Sequence, residues 1–207
     1  MKTQVVQPEP KPYHHGDLRR ALLRAAVVIL EREGPSALSL RAVAREAGVS
    51  PAAPYHHFKD KSELLNAVAL EGFARLKTAL AEAFAAAHGE RVRSSLGVAY
   101  VEFAQVHPAL YRVMWDCARN GEKLPEDAAQ AESAFELVKQ TLRAAAGDQI
   151  SDLDLELTAI AAWCAAHGLA EISTFAQFKP LKDELGGERA FLEAVLDHLG
   201  GVRRHHA

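Results

Sequence analysis

Apolar residues recur along this chain at three- and four-residue intervals, and nowhere alternate with polar ones over a strand's length between turn signals. Leu18, Leu22, Ala25, Ala26, Ile29 and Leu30 line one face of a helix that Asp17 opens as N-cap and Gly34-Pro35 ends. Ser39 caps a second, short helix through Ala47, which Gly48 stops, and Ser50 caps a third beginning at Pro51. Asp60-Lys61-Ser62-Glu63 reads as a capping box with Asp in place of Ser. It opens a long helix to about residue 88, with Leu65, Val68, Gly72, Phe73, Leu76, Leu80 and Phe84 on one stripe. Further helical patterns cover 91–107, 108–118 with Pro108 at the first position, 125–146, 152–178 and 187–199. The expected fold class is all-α, with about nine helices.

Composition agrees with that pattern. Alanine fills 39 of the 207 positions and β-branched runs are few, both of which favour helix. Residues 1–12, with Pro8, Pro10 and Pro12 and no apolar period, are expected to form a disordered arm. Cys117 and Cys164 are the only cysteines and no signal-like segment opens the chain, so a reducing cytoplasm is the expected compartment. The longest apolar runs, at 25–30 and 159–166, fall far short of the roughly 18 to 20 residues that a bilayer span needs.

The net charge of −3 hides an asymmetry. Residues 1–62 hold ten Lys or Arg against six acids, or +4, whereas the remainder holds 14 bases against 21 acids, or −7. A basic head beside an acidic body points to nucleic acid as partner of the head; the plain alternative is that helical surfaces are simply charged.

The segment Leu40 to Tyr55 has the spacing of a helix-turn-helix. The crossing of two helices wants the small Ala44, the tight turn wants Gly48, and Val49 and Pro54 supply apolar contacts beneath the second helix. A short helical hairpin would show the same spacing. The adjoining stretch is more specific: Tyr55-His56-His57-Phe58-Lys59-Asp60-Lys61-Ser62-Glu63-Leu64-Leu65 closely resembles the end of the DNA-binding domain of TetR-family transcriptional regulators. The likeness covers residues 13–65. It implies a helix-turn-helix domain over 13–62 and a helical effector-binding and dimerisation domain over 63–207. It also implies a homodimer that reads a palindromic double-stranded operator and represses until a small molecule binds the body.

Carried over residue by residue, the resemblance places Ser50, Pro51, Ala52, Ala53, Tyr55, His56 and His57 at the major groove or its edge. Lys61 matches a phosphate-gripping lysine, with the N-terminus of its helix adding partial positive charge, and Ser39 and Arg41 should reach the backbone. Pro51, Ala52, Ala53 and Pro54 stand where many relatives carry polar or flexible residues. Two of these lack an amide hydrogen and none has a polar side chain, so direct base reading there is poor. Thymine-methyl contact, Ser50 and His56 must carry more of it. The stretch Lys11 to Arg20 is a candidate arm for minor-groove or phosphate contacts.

In the body, Trp163-Cys164-Ala165-Ala166-His167-Gly168 resembles the Trp/His/Gly signature of one TetR subgroup. Leu155, Leu157, Ile160, Trp163, Cys164, Leu169, Ile172 and Phe175 cover nearly the whole circumference of helix 152–178, so a second buried side is expected, most simply against a partner subunit. Helix 187–199, through Ala190, Phe191, Ala194, Val195 and Leu199, would complete a four-helix interface. Candidate effector-lining residues are Phe73, Leu76, Tyr100, Phe103, His107, Tyr111, Met114, Trp115, Phe135, Trp163 and His167, a mostly apolar set suited to a small lipophilic or aromatic molecule, although such residues also build ordinary cores. Helix 61–88 carries both Lys61 and Phe73, with Gly72 as a notch for a neighbouring helix, which makes it the candidate link between effector and DNA.

Other chemistry has less support. Cys164, His167 and Glu171 share a helix face and offer three metal ligands, against which stands a buried histidine bonded to a neighbour; no metal or cofactor is assigned. His14-His15, His56-His57 and His205-His206 are adjacent pairs that diverge by about 100° in a helix and cannot chelate. No nucleophile elbow, phosphate loop or His-Glu-x-x-His occurs, so no enzyme activity is expected. An effector-independent architectural DNA-binding protein is the remaining alternative.

Overall fold

The computed structural model describes residues 15–87, 92–119, 129–146 and 150–201. The expected arm over 1–12, the start of the pattern over 125–146 and the His205-His206 pair lie outside these. The chain divides into two compact units between Leu64 and Leu65. Every regular element among the described residues is helical, and no helix there is long and apolar enough to cross a membrane.

The first unit holds α1 (His15–Glu33), α2 (Leu40–Glu46) and a 3-10 turn (Ala53–His56). α1 starts two residues ahead of Asp17, which therefore lies in its first turn. Gly34 ends it in the left-handed conformation at φ 81°, its amide donating to the Leu30 carbonyl at 2.9 Å. Ser39 caps α2 as expected, its Oγ accepting from the Ala42 amide at 3.1 Å. Gly48, at φ 68°, reverses the chain so that the Val49 amide reaches the Ala44 carbonyl at 3.0 Å. Leu22, Ala26, Leu30, Leu38, Val43, Ala44 and Phe58 form the buried core.

The third element departs from the expectation. Instead of an α-helix from Pro51, the chain makes a four-residue 3-10 turn with Ala52 at its N-cap. The amides of Ala53, Tyr55 and His57 donate three residues back, to Ser50, Ala52 and Pro54, at 3.0, 3.2 and 2.9 Å. An α-helix would require residue 54 to donate to the Ser50 carbonyl. Proline has no hydrogen to give, and its ring crowds that carbonyl.

α3 (Lys61–Ala86) opens on the expected capping box: Glu63 N donates to Asp60 Oδ1 at 2.9 Å, and Lys59 N to Glu63 Oε2 at 2.6 Å. The second unit continues with α4 (Val92–Val106), α5 (Pro108–Arg119), α6 (Ala129–Ala146), α7 (Asp152–Ile172), a 3-10 turn (Ala176–Phe178), α8 (Lys179–Leu185) and α9 (Glu188–Gly201). α4 packs along α7 and α9, and α6 lies on α7. Two notches allow close approach: a Cβ on Gly72 would meet Met114 Sδ at 2.5 Å, and one on Gly97 would meet Leu196 Cδ1 at 2.8 Å.

The expected helix 152–178 ends early, at Ile172. Ser173 turns inward, fully buried, and its carbonyl accepts from Lys182 Nζ on α8, a helix that the sequence pattern hid because Pro180 read as a stop when it stands in the helix's first turn. Phe191 also departs from its expected place at a subunit interface. It is buried within its own chain, 5.8 Å from the Phe178 ring and beneath Lys182.

Since Met114 is fully buried beside Gly72, Gly72→Leu should lower stability by about 1–3 kcal/mol through overpacking. A Cβ on Gly168 of α7 meets nothing within 4 Å, so Gly168→Ala should be neutral or stabilising by up to about 1 kcal/mol. Thermal denaturation of the two variants beside the parent chain measures both.

Candidate functional site

On the first unit, a shallow recess is lined by Ser39, Leu40 and Arg41 at the start of α2, Tyr55 of the 3-10 turn, and Lys59, Asp60 and Lys61. Arg41, Ser50, Pro51, Ala52, Tyr55, His56 and Lys61 are exposed, and Ala53 and His57 are half-buried. Tyr55 keeps 54% of its surface in solvent, although a tyrosine next to a core residue usually buries its ring. Lys61 Nζ donates to the Pro35 carbonyl at 3.0 Å, which fixes the ammonium at the rim of the recess. The N-terminus of α3 is answered by Asp60 and Glu63, so the positive character of this surface comes from Arg41, Lys59 and Lys61 and not from the helix end.

In the second unit, seven rings from five helices converge. Phe73 of α3 meets Trp115 of α5 edge-on at 5.5 Å; Trp115 meets His167 of α7 at 5.0 Å and Trp163 at 6.1 Å. Tyr100 of α4 lies 5.3 Å from Trp163, and Phe135 of α6 lies 5.7 Å from the same ring. Tyr111 completes the set, 5.6 Å from His167. Rings at helical spacing make ordinary cores; the polar atoms distinguish this one. His167 Nδ1 is hydrogen-bonded to the Tyr111 hydroxyl at 2.6 Å, with the Tyr100 hydroxyl 3.1 Å from the same nitrogen and 3.3 Å from Tyr111. Burial drives the Tyr100 phenol far above the usual tyrosine range, with the bond to Tyr111 adding to it. Burial likewise pushes Tyr111 up to about 12, against the pull of the Tyr100 hydroxyl and with the Glu171 charge adding. The nearby Trp115 N–H pulls both phenols the other way, but more weakly than burial, and it closes no hydrogen bond with either. Trp115 Nε1 and Asn66 Oδ1 are buried with no hydrogen-bond partner among the described residues.

The expected lining residues thus separate. Phe73, Tyr100, Tyr111, Trp115, Phe135, Trp163 and His167 come together. Phe103 and His107 pair with each other at 5.2 Å, while Met114 packs into the Gly72 notch and Leu76 is fully buried. The metal reading fails on geometry: Cys164 is exposed, His167 Nδ1 is taken by the tyrosines, and no trio of His, Cys, Asp or Glu among the described residues is placed to hold an ion. Sequence reasoning missed the orphan donor on Trp115, since only packing reveals whether an indole finds an acceptor.

Two family models match this chain: the tetR family of bacterial regulatory proteins over residues 22–68, and a tetracyclin repressor-like C-terminal domain over residues 94–199. The second alone spans half of it. The chain belongs to the TetR family. Among curated relatives of this TetR-family chain, the HTH-type transcriptional regulator BetI of Rhizobium meliloti (strain 1021) is 33% identical over 110 residues, 51% of this chain and 54% of that protein. The uncharacterised HTH-type transcriptional regulator YobS of Bacillus subtilis (strain 168) is 28% identical over 96 residues, 46% of this chain and 50% of that one. The chain spans about half the length of these relatives. A solved structure of a protein of unknown function from Rhodococcus sp. RHA1 is 35% identical with a TM-score of 0.72, covering 89% of this chain and 94% of that one. A bacterial regulatory protein of the tetR family from Rhodococcus RHA1 shares the fold at 24% identity and a TM-score of 0.60, over 87% and 95% of the two chains.

The tyrosine shifts fix a pH window. A phenol whose pKa is raised by folding holds its proton more tightly in the folded state, so its contribution is complete below the ordinary value near 10 and is lost as pH rises through the folded value. Stability should therefore fall between about pH 10 and 12, by about 1.4 kcal/mol per pH unit for each tyrosine held protonated. Alkaline titration should show a tyrosinate absorbance step near pH 12, and Tyr111→Phe should remove it.

Proposed function

We propose that this TetR-family chain is a homodimeric transcriptional repressor that binds a palindromic operator and is released by a small, mostly apolar effector. The observation that carries the DNA-binding half is the exposed surface around the 3-10 turn. Tyr55, His56, Arg41 and Lys61 stand out from a core that does not use them. Arginine and lysine at its rim suit phosphates, and His56 and Tyr55 suit base edges. Pro51, Ala52 and Ala53 offer only apolar contact, which favours thymine methyl groups.

Dimerisation through α7 is supported by what that helix leaves in solvent. Leu155, Ala159, Ala166, Leu169 and Ala170 face inward, while Leu153, Leu157 and Ile160 remain 69, 55 and 46% exposed. With Cys164 and Ile172 they form one stripe of helical period. A second copy of the chain is the occupant proposed, since a two-fold pairing lets the stripe cover itself. Two DNA-reading turns then sit about 34–36 Å apart or a multiple of that. The ring cluster supports effector binding, and α3, running unbroken from Lys61 past Phe73, is the proposed link.

Fluorescence anisotropy with operator and random duplexes tests the reading, and equal affinity for the two would overturn it. Arg41→Ala and Lys61→Ala should each weaken binding to all sequences and reduce the log–log salt slope by about 0.9 per lost phosphate contact per subunit. Leu157→Glu should give monomers in sedimentation with the fold retained. A parent chain that is monomeric at micromolar concentration would rule out the dimer.

A further inference from the structure

The indole nitrogen of Trp115, buried within a half-buried side chain, is the starting point. Its Nε1–H draws on both phenols without closing a hydrogen bond to any described residue, and it lies in a cluster where Tyr100 Oη, Tyr111 Oη and His167 Nδ1 bond among themselves. A buried donor left unpaired costs about 1–3 kcal/mol, and native interiors rarely tolerate it without a use. An entering molecule that brings an acceptor to this nitrogen recovers that cost; one that brings only hydrocarbon does not.

The charges around the cluster narrow the class further. The cation that touches one of its rings among the described residues, Lys139 over Phe135, is already paired with Glu136 and with Glu156, the latter at 3.2 Å. Glu171 bears on both tyrosines with negative charge. An anion would therefore meet repulsion with no free counter-charge to offset its desolvation. Resting on the effector reading above, we propose that the ring cluster takes an uncharged, largely apolar or aromatic ligand bearing one carbonyl-type acceptor, which accepts the Trp115 Nε1–H. The rings stand edge-to-face at 5.0 to 6.5 Å, so such a ligand enters by parting them, and Trp115 and Trp163 both report the event. They are the two tryptophans of the chain, so its intrinsic tryptophan emission arises entirely from this cluster.

The test titrates the full chain, followed by tryptophan emission, with four probes built on one ring: acetophenone, ethylbenzene, benzoate and phenyltrimethylammonium. Acetophenone should bind about tenfold tighter than ethylbenzene, the effect of one buried hydrogen bond, and tighter than either ion. Trp115→Phe keeps an aromatic ring and removes the donor. It should bring acetophenone to within about twofold of ethylbenzene, both measured on the same variant. Trp163→Phe, which keeps the donor, should retain the preference and shows that loss in the first variant is not misfolding. The proposal is overturned if none of the probes binds, if ethylbenzene equals acetophenone, if benzoate or the quaternary cation binds best, or if Trp115→Phe keeps the acceptor preference. Operator release is measured separately. An acceptor preference without release would sustain this inference and overturn the effector reading, whereas release by acceptor-free hydrocarbons with no such preference would do the reverse.

Discussion

Seven rings drawn from α3, α4, α5, α6 and α7 meet around His167, and the second unit is organised by that meeting. Edge-to-face pairs of this kind add about 0.5–1.5 kcal/mol each beyond the area they bury, and they also fix angles, because the positive edge of one ring must find the negative face of the next. His167 is the pivot of the arrangement. Its Nδ1 can satisfy one hydroxyl fully, and the two tyrosines share it by bonding to each other, so α4, α5 and α7 are tied at one point by polar bonds inside an apolar cluster. The Gly72 notch belongs to the same constraint: α5 brings Trp115 to Phe73 because one residue earlier α3 has no side chain to hold Met114 away.

The first unit depends on a smaller device with an opposite logic. There the prolines remove backbone donors, and the element that would carry base readout becomes a 3-10 turn with i→i−3 bonds. Pro51 and Pro54 fix φ, so this turn loses little entropy on folding and has little freedom to adapt to a groove. What it presents is a rigid apolar edge flanked by Tyr55 and His56, with arginine and lysine held at the rim by the α2 cap and by the Lys61 bond to Pro35. On the proposed function, such a surface would position itself by charge and read sequence at few points.

α7 joins the two kinds of demand placed on the second unit. One side of the helix, through Leu155, Ala159 and Leu169, belongs to its own core, Trp163 and His167 lie at the border in the ring cluster, and the stripe from Leu153 to Ile172 remains outside. A helix with apolar residues on both its buried and its exposed side has almost no amphipathic signal, which is why its sequence reads as uniformly apolar.

By itself, the sequence determined the all-α class, the caps at Ser39 and Asp60, the left-handed glycines at 34 and 48, and the family, because these rest on local chemistry within a turn or on a contiguous motif from Tyr55 to Leu65. It also named all seven rings of the cluster, as candidates among bulky residues at helical spacing. Tertiary structure decided the rest. Whether Pro54 tightens a helix into a 3-10 turn depends on which carbonyl it would have faced. Whether Pro180 stops a helix or starts one depends on Ser173 being drawn inward to meet Lys182. Phe191 and Leu157 look equally apolar in sequence, yet one is buried by Phe178 and the other left in solvent, since burial is a property of the neighbours that packing supplies and not of the residue. The unpaired Trp115 N–H is the clearest case: an indole always carries the donor, and only the fold could withhold its acceptor.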